Sequence, residues 1–282
     1  LAMKPALFRR LAATLALGMG LLMGCATAPT PDYQPQRGQS GKDVIWIPTS
    51  PELVTRMLNM AKVSSQDIVY DLGAGDGIIA ITAAKQFGAR AYGIEYNPQM
   101  AAHAQNNARA AGVADKVSIR QGDIFEEKFD EASVVTLYLL PHLNLKLRPT
   151  LLKMKPGTRI VSHAFDMGEW EADDKISHEY AHAFLWVVPS DVQGRWTMKE
   201  VDSQAEVTLE IEQIFQRIGG SITERGRKTP LLGAQLRGDK MAFQYMGADQ
   251  QLRSVTAQVH GQRMQGVATV QGGQLPIEAI RR

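Results

Sequence analysis

A chain of 282 residues, 44% hydrophobic and with a formal charge of +2, has ample length for a buried core in one large or two modest domains. Its single cysteine excludes an intramolecular disulfide framework. Three of the cations, Lys4, Arg9 and Arg10, precede Cys25. Without them 28 basic residues face 29 acidic ones, a net of −1, so no basic field for nucleic acid remains.

In chain order, Lys4 to Arg10 form a basic segment and Leu11 to Met23 an apolar stretch too short for an ordinary membrane span. Leu22-Met-Gly-Cys25 resembles the bacterial lipoprotein signal, with Met23 a departure from its usual pattern. The resemblance implies removal of residues 1–24, lipidation of Cys25, and a protein anchored in the cell envelope facing the periplasm. Ala26 stands where an inner-membrane retention signal of that family carries Asp. Residues 25–42, rich in Pro, Gln, Gly and Ser, read as a flexible tether.

A domain is expected over residues 43–190. Ser50 is placed to cap a helix opened by Pro51, with Leu53, Val54, Met57, Leu58 and Ala61 on its buried face. Beyond it, strands at 68–72, 90–95, 117–121, 132–138 and 158–164 alternate with helices at 77–87, 98–111 and 143–153. This order predicts an α/β fold, a Rossmann-like parallel sheet with helices on both faces and ligands at the C-terminal edge of its strands.

The first strand runs into Asp71-Leu-Gly-Ala-Gly-Asp-Gly77. Gly73, Gly75 and Gly77 permit positive φ and close approach of a ligand to the backbone. A dinucleotide fingerprint would need a small residue at position 78, which is Ile. Asp71 would repel a pyrophosphate but suits a ligand with a cationic amino-acid end. Two further acids end strands: Glu95 after Arg90-Ala-Tyr-Gly-Ile, and Asp123, followed by Ile124, after Val117-Ser-Ile-Arg-Gln-Gly.

These three motifs together resemble the class I (seven-strand) S-adenosylmethionine-dependent methyltransferases. The resemblance implies S-adenosyl-L-methionine as methyl donor, Glu95 on both ribose hydroxyls, Asp123 on the adenine amino group and Ile124 beside the adenine ring. Pro48-Thr-Ser-Pro51, Val134-Val-Thr-Leu-Tyr-Leu-Leu-Pro-His-Leu-Asn144 and Ser162-His-Ala-Phe-Asp-Met-Gly-Glu-Trp170 look like one branch, the prokaryotic relatives of the ATP synthase c-subunit lysine methyltransferases. That likeness covers roughly residues 43–188 and makes a protein lysine the family-led acceptor, a small molecule the other choice.

For the acceptor side, Tyr138 is expected to line the channel, its hydroxyl within reach of a nucleophilic amine; a wall residue without catalytic role is the alternative. The Asn-Pro-Pro-Tyr form common in nitrogen methyltransferases is absent. His142 and Asn144 read as loop or cap residues and His163 as a hydrogen-bonded core histidine. Among His163, Asp166 and Glu169, Asp166 is the preferred proton acceptor or lysine-steering acid. His178 and His182, with Glu179 between, have i, i+4 spacing but no third ligand motif, and no metal is expected.

From 191 to 282 the pattern changes to short, glycine-punctuated strands, an antiparallel β meander, small barrel or curved sheet. Val207, Leu209 and Ile211 alternate with Glu206, Thr208, Glu210 and Glu212. Ala234–Met241 and Ala257–Met264 repeat one strand–glycine turn–strand unit. The function expected is methyl transfer to a membrane or envelope acceptor; the alternative is an envelope lipoprotein keeping the fold for binding without turnover.

Overall fold

The computed structural model describes residues 33–178, 181–200 and 206–282, which form one compact unit. Cys25 and the leader before it, and Glu179, lie outside the described residues. Two sheets build the unit. The first holds β1 (Ile68–Leu72), β2 (Arg90–Glu95), β3 (Val117–Gln121), β4 (Val134–Leu137), β5 (Arg159–His163), β6 (Asp174–His178) and β7 (Ala181–Val187) in the order β3-β2-β1-β4-β5-β7-β6. The first five are parallel, and the order reverses between β1 and β4, where the C-terminal edge opens a crevice. Beyond the five strands read from the sequence, β7 and β6 add an antiparallel hairpin at the β5 edge.

Helices cover both faces because alternate strand residues point opposite ways. On one side α1 (Pro51–Met60), α2 (Ile78–Phe87) and α3 (Pro98–Ala110) bury Leu53, Met57, Leu58, Ala80 and Ala104 against Val69, Val134 and Val161. On the other, α4 (Pro141–Leu151) packs Leu143, Leu147 and Leu151 over Tyr70, Val135 and Ile160. Local chemistry sets the helix starts. Ser50 accepts from the Leu53 N–H at 3.3 Å ahead of Pro51, and Asn97 accepts from Gln99 and Met100 ahead of Pro98. No helix among the described residues is long and apolar enough to cross a membrane.

The second sheet comprises β8 (Gly194–Glu200), β9 (Glu206–Ile214), β10 (Arg217–Glu224), β11 (Arg227–Pro230), β12 (Leu232–Arg237), β13 (Lys240–Met246), β14 (Leu252–His260), β15 (Arg263–Val270) and β16 (Gly273–Arg281). Neighbours pair antiparallel as a meander, except that β8 pairs with the final strand, β16. The edges β11 and β12 are consecutive in the chain, and the Leu231 N–H donates to the Gly220 carbonyl, so the sheet curls almost into a barrel. At Gly220 and Gly266 an added Cβ would strike the backbone of β9 or β14, so these strands approach too closely for any other residue. Trp196, Leu209, Phe243, Val255 and Met264 fill the interior. The two repeats are the hairpins β12–β13 and β14–β15, each turned at a glycine with φ near +60°, Gly238 and Gly261.

The two sheets meet through aromatic packing. Phe215, in the β9–β10 turn, stacks on Trp170 with ring centroids 6.1 Å apart, and Trp170 packs against Trp186. Trp186 donates through Nε1 to the Trp170 carbonyl at 2.7 Å.

Candidate active site

The glycine loop after β1 is positioned by its neighbouring strand. The N–H groups of Gly73 and Ala74 donate to the Ile94 carbonyl, and Gly73, Gly75 and Gly77 all hold positive φ. Residues with a Cβ rarely adopt that conformation. The Glu95 carboxylate accepts from the Gly75 N–H and from the Asn97 N–H, each at 2.9 Å. Sheet edge, loop and second acid are therefore one braced unit.

This unit forms the floor of a cavity. Asp71, Gly73, Ala74, Gly75, Asp76 and Glu95 line it, and Tyr138 and Phe165 stand at its other side. No lysine or arginine is among the lining residues. Asp71 is 2% exposed and accepts one side-chain hydrogen bond, from the Thr136 hydroxyl at 2.7 Å. Burial pushes its carboxyl up to about 7, with the charges of Asp76 and Glu95 adding in the same direction. Burial also raises Asp76 and Glu95. One buried acid, Asp71, and two half-buried ones, Asp76 and Glu95, thus surround one loop.

The remaining donor residues of the sequence reading fall nearby with different roles. Asp123, beyond β3, is paired with Lys42 at 2.5 Å and accepts from the Phe125 N–H at 3.0 Å; the Lys42 hydrogen bond holds its carboxyl below the ordinary range. Ile124 is partly buried against the core beside α4. Gly77 opens α2, where an added Cβ would meet Ala104 at 3.2 Å, so its close approach is to a helix.

On the acceptor side, Tyr138 follows β4 and its ring stacks on the His163 imidazole with centroids 3.8 Å apart. His163 is 7% exposed, and its Nδ1 is 3.0 Å from the Thr49 hydroxyl. Burial lowers its pKa to about 4, leaving the ring neutral at ordinary pH. Asp166 is exposed and does not line the cavity. Its carboxylate turns back to accept from the Gly168 N–H at 3.1 Å, which removes the geometric reason for choosing it as proton acceptor. Glu169 and His142 are exposed as well. Asn144 is fully buried and donates to Ser162 and to the carbonyls of Phe165 and Asp166, fixing the loop after β5. His178 and His182 lie on facing strands of the β6–β7 hairpin, and His182 hydrogen-bonds Ser177, so the i, i+4 spacing is not helical. Among the described residues no cluster could hold a metal ion.

Sequence reasoning missed Thr136, Trp46 and Thr49. Thr136 carries one local signal, as the polar residue of an otherwise apolar strand. Thr49 stands in the Pro48-Thr-Ser-Pro51 motif, which gave it no site role, and Trp46 carries no signal beyond its place before α1.

Comparison with known proteins agrees with this geometry. The ANTKMT methyltransferase domain model matches residues 71–174. A protein-lysine N-methyltransferase from Saccharolobus islandicus is 47% identical over 138 residues, 48% of this chain and 86% of that protein. The ATP synthase c-subunit lysine N-methyltransferase of Mus musculus is 29% identical over 129 residues, 45% of this chain and 51% of that protein. Among solved structures, an RNA methyltransferase from Salinibacter ruber in complex with S-adenosyl-L-homocysteine shares 50% identity at a TM-score of 0.51, over 52% of this chain and 96% of that one. The braced glycine loop, the buried Asp71 in the cavity wall and these likenesses lead to one conclusion: the chain belongs to the ANTKMT family of methyltransferases, enzymes for which S-adenosyl-L-methionine is the methyl donor.

Proposed function

We propose that this enzyme is a protein-lysine N-methyltransferase whose donor lies on the Asp71–Gly77 loop. The observation that carries the reading is Asp71, a buried acid facing a cavity without a lysine or arginine, where the donor's cationic amino-acid end supplies the missing charge. In this reading Glu95 takes the ribose hydroxyls, with Asp123 and Ile124 toward the adenine. S-adenosylmethionine supplies the methyl group when bound. The protein's part is alignment and exclusion of water. The amine nitrogen forms the new bond to the methyl carbon, the C–S bond breaks with its electron pair left on sulfur, and the amine's proton leaves to solvent. Tyr138, held by the His163 ring behind it, walls the acceptor channel with its hydroxyl beside the incoming amine.

A lysine acceptor is supported by the 47% identical relative and by the mouse one, both lysine methyltransferases. An acceptor of the membrane or envelope is supported by the leader alone: Lys4, Arg9, Arg10, the apolar run to Met23, and Cys25 as the lipidated anchor. The RNA methyltransferase among the solved structures raises RNA as a competitor; against it stands the chain's near-balanced charge.

Transfer of tritiated methyl groups from S-adenosylmethionine into a membrane extract tests the reading. The expected label is removed by protease and resides in methyl-lysine after hydrolysis. Label that resists protease and is released by ribonuclease overturns it.

A further inference from the structure

Residues 38–46, within and just after the stretch whose composition reads as a tether, fold into a small hairpin. The Gly38 N–H donates to the Trp46 carbonyl at 2.8 Å, the Trp46 N–H to Gln39 at 2.9 Å, and Ser40 bridges Ile45. This hairpin and its continuation to Thr49 line the same cavity as the glycine loop. Gln39, Gly41, Val44, Trp46 and Thr49 are among the residues lining it. The indole of Trp46 faces Gly75 so closely that an added Cβ there would sit 2.6 Å from its Nε1.

Both ends of the strap are fastened to residues of the site. At one end the Lys42 ammonium pairs with Asp123 and lies 5.0 Å from the centre of the Tyr96 ring, next to Glu95. At the other, Thr49 is bonded to His163, which carries the Tyr138 ring. Asp123 has both oxygens engaged, one by the Phe125 N–H and one by Lys42. Each oxygen keeps a second lone pair, so an adenine amino group reaching that carboxylate joins the lysine there.

We propose that residues 38–49 are the second wall of the donor site, and that Lys42 and Thr49 are the fastenings that hold an adenosine-containing donor or product in place. The proposal gives residues 38–49 a role outside the three donor motifs, Thr49 having entered the sequence reading only as part of Pro48-Thr-Ser-Pro51, and it rests on the cavity being the donor site. Because the strap is fastened to the adenine acid at one end and to the acceptor wall at the other, its closure couples donor retention to the shape of the acceptor channel.

S-adenosylhomocysteine binding and release, measured on the full chain by calorimetry and stopped-flow, test this. Lys42→Met and Thr49→Val are each expected to speed release by about tenfold, most of the affinity change falling on dissociation. Added salt should speed release from the wild type but not from Lys42→Met, since the ion pair is solvent-accessible. An unchanged release rate in either variant overturns the fastening at that end, and in both overturns the wall. Glu95→Ala separates this from the site assignment. If Glu95→Ala binds as tightly as the wild type, the donor-site reading itself has failed; if it weakens binding while the strap variants do not, only the strap has.

Discussion

Asp67 and Asp71 stand four residues apart, one just before β1 and one on it, and their surroundings are opposite. Asp67, at the N-terminal edge of the sheet, is paired with Arg159 and accepts from Ser133 and from the Ser64 N–H. Burial alone would raise its carboxyl, yet Arg159, Ser133 and Ser64 together bring it below the ordinary range. Asp71, at the C-terminal edge, has Thr136 as its one hydrogen-bonding side chain and is pushed up to about 7. One edge satisfies its acid within the protein, which serves stability. The other leaves its acid with a single hydroxyl partner in a cavity wall, a cost in stability that the proposed cationic donor would offset.

The comparison breaks most visibly at Arg159. Its guanidinium also donates to the carbonyls of Ala61 and Lys62 at the end of α1, so Arg159→Leu strands a buried acid and loosens a helix. Urea unfolding should show a loss of about 3 kcal/mol, the lower part of the range for breaking a buried pair, since the arginine is partly exposed. Donor affinity of the folded fraction should hold.

Asp71→Asn should act the other way. The amide keeps a partner in Thr136, so the fold persists, while S-adenosylmethionine binding weakens by about 1.5–3 kcal/mol for the charge-assisted contact removed. Calorimetric titration reads this directly.

The two acids also differ in pH dependence. Asp67 is depressed in the folded state, so its contribution is present above its unfolded pKa and is lost as pH falls through the lower folded value. Asp71 is raised, so the donor-free protein loses stability as pH climbs from the unfolded value of about 4 through about 7. Thermal melts should therefore show a larger stabilisation by S-adenosylmethionine at pH 8 than at pH 6, and Asp71→Asn should flatten that difference. The smallest effect is expected at Thr136→Val, about 1 kcal/mol in donor affinity or less, because the hydroxyl steadies Asp71 without replacing its charge.

Much of the donor edge was legible because its signals are local. Glycines mark the loop, apolar runs mark the strands, and the acids Asp71 and Glu95 fall at strand ends, as a period-2 reading places them. The interior of β9 followed from alternation for the same reason. What escaped depends on distant partners. The β6–β7 hairpin is fixed by pairing of β7 with β5, and the second sheet closes by joining β8 to β16, the last strand. The strap looked like a tether since nothing in Gly38–Lys42 shows that Lys42 meets an acid 81 positions on, or that Thr49 meets a histidine 114 positions on. Asp166 failed for a third reason. It sits two residues after Ala164, whose φ of 67° turns the chain, and its carboxylate is used by the turn itself.

An Asp71 held in reserve for a cationic donor should lose its proton on binding. S-adenosylmethionine should be titrated calorimetrically at pH 7 in two buffers of different ionisation enthalpy, with wild type and Asp71→Asn in parallel. With its carboxyl raised by burial, Asp71 is partly protonated before binding, and the arriving cation expels that proton. The wild type should therefore release more protons than the variant does. Equal proton release from the two proteins would contradict the account.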